Sequence, residues 1–165
     1  MTELRFLRGI IIIGIVMVFA EAAAPKGGEA TGRAMITKYA GSYATGAFLK
    51  EPAVHQELQK LLGAEMSHLM HNLNVKGAVD LSGETLSVNG NAPHQGTEEE
   101  AIVCVTPFNM TVEAAILSKG KATVFTRAEK YEYASICIKD WITLVNSGHA
   151  DRFEQPANVL LVKPR

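Results

Sequence analysis

The stretch NGNAPHQGTEEEAIVCV, residues 89–105, decides the fold because a turn in it leads directly into an apolar strand. Its first three residues are turn formers, and Pro93 fixes its own φ while keeping Ala92 out of the helical region. Gly96 lets the chain reverse direction without a Cβ clash. The sequence therefore predicts an exposed loop with His94 on its bend, anchored in a sheet by the run AIVCV.

This loop also carries the candidate functional residues. A titratable imidazole on a stiff loop suits recognition or catalysis, although an ordinary polar hairpin loop has the same composition. The acidic run that follows either forms a solvated sheet edge that discourages pairing between sheets, or supplies a carboxylate that orients His94 or contacts a basic partner. The candidate binding residues are Pro93, His94, Gln95, Glu98 and Glu99.

Two short helices are predicted before the loop. Apolar residues at i, i+4, i+7 and i+8 from Val54 form one helical face, and Pro52 suits the first turn of that helix. Gly63 interrupts the pattern, and a second stripe continues it to a helix end near Asn74. The stripe residues are Val54, Leu58, Leu61 and Leu62, followed by Met66, Leu69, Met70 and Leu73.

From Lys76 onward the pattern changes to short strands separated by turn signals, which predicts an antiparallel meander. The stretch 140–146 fits either a short helix, which Asp140 would cap, or part of a long strand. A helix pair packed on an antiparallel β-meander is an α+β fold. The predicted strands are 78–81, 84–88, 101–106, 110–117 and 122–126, with 159–162 as a final edge strand.

The N-terminus has the pattern of a signal peptide over residues 1–22. Arg5 and Arg8 precede an apolar run at 10–20, and an Ala-Glu-Ala sequence supplies the small residues that signal peptidase recognises. The alternative is an uncleaved anchor, which would be the chain's membrane contact. In either case we expect the domain to work outside the cytoplasm, in the periplasm or as a secreted protein. The predicted divisions are signal peptide 1–22, flexible tail 23–38 and a single α+β domain 39–165.

Composition and motifs argue against several classes of function. The 165 residues carry a formal net charge of −1, without a basic stripe that would bind nucleic acid. We find no nucleotide-binding or other cofactor motif, and no nucleophile elbow or cysteine-protease signature that would mark a catalytic residue. His68 and His71 are three residues apart, but His55 and Glu65 do not complete a metal-ligand pattern, so no metal is predicted.

Two cysteines, Cys104 and Cys137, lie in apolar, strand-like runs. Outside the cytoplasm they can oxidise, and a disulfide between them would close a loop of about 30 residues and stabilise the fold by roughly 2–4 kcal/mol. The alternative is that both are small buried hydrophobic residues on separate strands. Neither cysteine has a neighbouring histidine or helix start that would activate its thiol for catalysis.

The order of these elements resembles the bacterial periplasmic inhibitors of vertebrate-type (c-type) lysozyme. Over roughly residues 50–126, a helix with an apolar stripe is followed by a strand before Ser82-Gly83, a strand into Pro93-His94 and a hairpin around Asn109. The pentapeptide APHQG matches that family by residue type. The resemblance implies a short helix packed on an antiparallel sheet.

The same resemblance implies an inhibitory mechanism. In that family an exposed Pro-His loop enters the lysozyme cleft, so His94 would lie between the catalytic carboxylates of the target. The loop of that family is closed by a cysteine on each side, whereas this chain has Asn91 and Gly96 near those places.

Two other functions fit the same residues. One is an exported domain that binds a cell-envelope component, such as a peptidoglycan fragment or another periplasmic protein. The other is a hydrolase that uses His94 with a nearby glutamate. The sequence favours a protein-binding role over an enzymatic one, with a lysozyme-like hydrolase or an envelope component as the partner.

Overall fold

The computed structural model describes residues 27–148 and 151–164. The predicted signal peptide and the first residues of the predicted tail lie outside this part. No helix within it is long and apolar enough to span a membrane. Its helices are α1 (Gly27–Tyr39), α2 (Thr45–Leu49), α3 (Pro52–Leu62), α4 (Met66–Asn72) and α5 (Ile136–Val145). Its strands are β1 (Val75–Lys76), β2 (Asp80–Ser82), β3 (Thr85–Asn91), β4 (Glu99–Thr106), β5 (Thr111–Ser118), β6 (Lys121–Phe125) and β7 (Val159–Val162).

The strands form one sheet in the order β1-β3-β4-β5-β6-β7, with β2 also paired to β3. All neighbouring strands are antiparallel except β6 and β7, which are parallel. Strands β3 to β6 follow one another along the chain and form the predicted meander. The predicted helix pair is present as α3 and α4, joined by a 3-10 turn. The predicted α+β fold is therefore confirmed.

Helices cover both faces of the sheet, and this explains the continuous apolar runs in β4 and β5. On one face Val103 belongs to the core that includes Leu58 of α3 and Leu69 of α4. On the other face Ile102 and Cys104 belong to the core formed with α5. Because side chains alternate between the faces of a strand, a strand covered on both sides is apolar at successive positions instead of alternating apolar with polar. Strand β4 is the buried centre of the fold.

The first helix differs from the flexible tail expected over residues 23–38. Met35 and Tyr39 of α1 are buried in the larger core, and the Tyr39 ring centroid lies 5.3 Å from that of Phe48. Small residues and single charges separate the apolar residues of α1, so its sequence gives little helical signal. Packing against the core, rather than intrinsic propensity, accounts for such a helix.

The stretch 140–146, which the sequence left open between helix and strand, falls largely in α5. Ser135 caps this helix, since its Oγ accepts a hydrogen bond from the backbone N of Ile138 at 3.3 Å. Asp140, the predicted cap, lies inside the helix instead. Ile138 and Trp141 are buried and pack against the sheet.

A disulfide joins Cys104 of β4 to Cys137 of α5, across 33 positions of the sequence. Cys104 is buried, and Cys137 lies on a helix rather than on the strand-like run suggested by its sequence. The bond therefore fastens α5 covalently to the central strand of the sheet.

Replacing both cysteines with alanine should lower the free energy of unfolding by about 2–4 kcal/mol, because the disulfide limits the entropy of the unfolded chain. Urea denaturation followed by Trp141 fluorescence measures this change. The wild-type protein under reducing conditions should lose a similar amount. A double alanine variant as stable as the oxidised wild type would contradict a stabilising role for the bond.

Candidate functional site

The candidate loop joins β3 to β4 and contains a closed four-residue turn. The backbone N of Gln95 donates to the O of Ala92 at 3.1 Å, with Pro93 and His94 between them. His94 has a φ of 62°. Proline at the second position and a positive φ at the third are features of a type II turn.

The turn places His94 at an exposed tip above a buried base. Pro93, His94 and Gln95 are exposed, whereas Ala92 is fully buried. A positive φ is uncommon outside glycine, and it persists where the surrounding structure fixes the backbone. The local sequence thus produces a constrained loop whose imidazole faces solvent.

The return side of the loop is also hydrogen-bonded. The backbone N atoms of Glu98 and Glu99 both donate to the O of Gln95, at 3.2 and 3.0 Å. The backbone N of Thr97 donates to Oε1 of Glu100 at 2.8 Å. These bonds make residues 95–98 a compact turn that leads directly into β4.

Asn91 and Gly96 lie close together at the neck of the loop. Nδ2 of Asn91 donates to the O of Ala92 at 2.8 Å. A Cβ built on Gly96 would lie 3.8 Å from Nδ2 of Asn91, which is ordinary van der Waals contact. The open side of Gly96 therefore faces the Asn91 side chain at the places where the family suggested by the sequence has cysteines.

The two candidate glutamates have different environments. Glu98 is exposed, whereas the side chain of Glu99 is 18% exposed and contacts the scaffold. Oε1 of Glu99 accepts a hydrogen bond from Ser118 Oγ at 2.6 Å. Its Oε2 lies 3.0 Å from Nε2 of His68 and accepts from Nδ2 of Asn72 at 3.2 Å. Glu99 therefore joins the loop to α4 and β5, and these contacts do not include His94.

These contacts determine the ionisation of Glu99. Burial raises the pKa of this carboxyl, but the hydrogen bonds from Ser118, His68 and Asn72 outweigh burial and hold the pKa below its ordinary value of 4.5. The side chain is therefore a carboxylate at neutral pH. A charged acceptor strengthens each of the three hydrogen bonds.

Sequence reasoning missed the partners of Glu99. His68, Asn72 and Ser118 are 31, 27 and 19 positions away, so no local spacing relates them to it. The only related pattern in the sequence is the i, i+3 spacing of Glu65 and His68, which predicts a contact between these two side chains. This contact is present, since Nδ1 of His68 lies 3.3 Å from Oε2 of Glu65.

The histidines of α4 do not build a metal site in the part of the chain that the structure describes. Glu65 and Glu99 approach opposite nitrogens of the His68 ring, so the two carboxylates do not converge with it on one point. Within those residues, no group of three or more His, Cys, Asp or Glu side chains is arranged to hold a metal ion.

Comparison with known proteins gives one match. A family model described as inhibitor of vertebrate lysozyme (Ivy) matches residues 53–144, which is more than half of the chain. The matched region begins in α3, contains the whole candidate loop and ends within α5. No curated protein and no solved structure matches the chain.

Glu99→Gln should reduce stability at neutral pH and flatten the dependence of stability on pH. Since the pKa of Glu99 is lowered by folding, its ionised form stabilises the protein above pH 4.5, and this stabilisation is lost as the pH falls through the lowered pKa. We expect a deficit of about 1–2 kcal/mol at pH 7 that shrinks toward pH 3. Urea denaturation across this range measures it.

The matched control is Glu98→Gln, which removes an exposed neighbouring carboxylate. This variant should follow the wild-type stability curve. Parallel curves for the wild type and Glu99→Gln at every pH would show that the ionisation of Glu99 is not linked to folding.

Proposed function

Because this chain belongs to the family of inhibitors of vertebrate lysozyme, we propose that it binds a lysozyme-type hydrolase and inserts the Pro93-His94 loop into its active-site cleft. The observation that carries this proposal is the exposed His94 on a turn that hydrogen bonds hold closed. The partner is then another protein, and the chain itself needs no catalytic residue.

The proposed mechanism is occupation of the cleft by the imidazole. The two catalytic carboxyl groups of a retaining glycosidase are only about 5–5.5 Å apart, so one group presented at the mouth of the gap between them can face both. A protonated imidazole donates from both ring nitrogens, so His94 can give one charge-assisted hydrogen bond to each carboxylate. These bonds strengthen once the loop excludes water from the cleft.

The constrained backbone supports tight binding. A loop that already has its bound shape loses little conformational entropy when it enters the cleft. Pro93 contributes by fixing φ, and the Gln95–Ala92 hydrogen bond holds His94 in its positive-φ conformation. Pro93 and Gln95 flank the imidazole and would contact the walls of the cleft, while Glu98 would face its rim.

The proposed location is outside the cytoplasm, where a lysozyme would be met. The signal-peptide pattern at residues 1–22 supports export. The Cys104–Cys137 disulfide supports the same location, because such bonds persist in oxidising compartments. We therefore place the mature domain in the periplasm or among secreted proteins.

His94→Ala should weaken inhibition of a c-type lysozyme by at least about tenfold, since it removes the charge-assisted hydrogen bonds in the cleft. Its melting temperature should stay close to that of the wild type, because His94 is exposed. Lysis of a bacterial cell-wall suspension, titrated with each variant, measures the inhibition constant.

The matched control is His71→Ala, which removes an exposed histidine on α4 away from the loop and should inhibit like the wild type. If His94→Ala inhibits as strongly as the wild type, insertion of this imidazole is excluded. If the wild type inhibits no lysozyme, the proposed target is excluded.

A further inference from the structure

We propose that Glu99 is a positioning residue, which holds the His94 loop in its binding shape while making no contact with the target itself. This inference deepens the proposed function and rests on it, because the loop must be the inhibitory element. Glu99 makes two sets of contacts that give it this role, one through its backbone and one through its side chain.

The backbone of Glu99 bonds to both residues that flank Pro93 and His94. Its O accepts from the N of Ala92 at 2.9 Å, and its N donates to the O of Gln95 at 3.0 Å. Since Gln95 N also donates to Ala92 O, these three residues close a small ring of hydrogen bonds beneath the exposed tip. A shift of Glu99 therefore displaces both ends of the turn together.

The side chain of Glu99 fixes this ring to the rest of the protein. Ser118 at the end of β5 donates to one carboxylate oxygen, and His68 and Asn72 of α4 approach the other. Asn72 is fully buried and also donates to the backbone O of Leu117, so it is itself held in place. Three contacts from two elements leave the carboxylate little freedom to reach a partner protein.

The neck of the loop has no covalent closure, so the loop depends on Glu99 to keep its shape. Because neither Asn91 nor Gly96 is a cysteine, no disulfide holds the neck of the loop closed. Without the Glu99 carboxylate contacts, residues 92–98 would sample more conformations. Binding would then have to restrict that freedom again.

The first test measures the loop in the free protein. In Glu99→Ala, backbone amide hydrogen exchange at Ala92 should accelerate by at least about tenfold relative to the wild type. His68→Ala, which removes one of the three contacts, should accelerate it less, and His71→Ala on the same helix should not change it. Unchanged exchange in Glu99→Ala would overturn the proposal without any use of lysozyme.

The second test measures rescue of inhibition by a covalent closure. Glu99→Ala should weaken lysozyme inhibition by about tenfold. Adding Asn91→Cys and Gly96→Cys to that variant should restore it, because a Cβ at residue 96 would lie close enough to the residue 91 side chain for a disulfide after a small adjustment. Glu99→Ala with Asn91→Cys alone cannot form this bond and should remain weak.

The outcomes separate the two proposals. Rescue by the cysteine pair supports positioning when the same pair leaves inhibition by the otherwise wild-type protein unchanged, since the closed neck then supplies only what the Glu99 carboxylate had supplied. Failure of rescue with the bond formed, or full inhibition by Glu99→Ala, overturns the positioning role while the wild type still inhibits. If the wild type and every variant fail to inhibit, the proposed function fails, and hydrogen exchange alone decides the role of Glu99.

Discussion

The structure depends on the burial of β4 between two neighbouring strands and two helical layers. Its backbone pairs with β3 on one side and β5 on the other, and its side chains alternate between the two cores. The candidate loop and the disulfide are both attached to this strand. The loop enters it at Glu99, and the disulfide leaves it at Cys104. A rigid central strand therefore gives the loop a fixed point from which to project.

Local features of the fold were predictable from the sequence. Pro93 and Gly96 lie within the bend that they produce, and the strand that follows is a continuous apolar run. The loop and its anchoring strand can therefore be predicted from local sequence alone, without knowledge of contacts to distant residues. Membership of the lysozyme-inhibitor family, suggested by the order of elements and the Pro-His pair, is confirmed by the family match.

Other features depend on contacts between residues that are far apart in the sequence, and no local sequence pattern predicts such contacts. Glu99 receives its hydrogen bonds from α4 and β5, which fold back from distant parts of the chain. Helix α1 has few apolar residues, and it forms because Met35 and Tyr39 pack into the larger core. The residues of α5 are apolar enough to fit a buried strand as well, so composition could not separate the two. Tertiary packing decides all three cases.

The positions of the disulfide and the loop have a consequence for how the protein matures. Cys104 faces α5, whereas Glu99 faces α4, so oxidation and the shaping of the tip occur on opposite surfaces of one strand. No cysteine lies in the loop. The loop can therefore reach its closed shape as soon as the backbone folds, whether or not the two thiols have been oxidised, and the disulfide then stabilises a loop that is already formed.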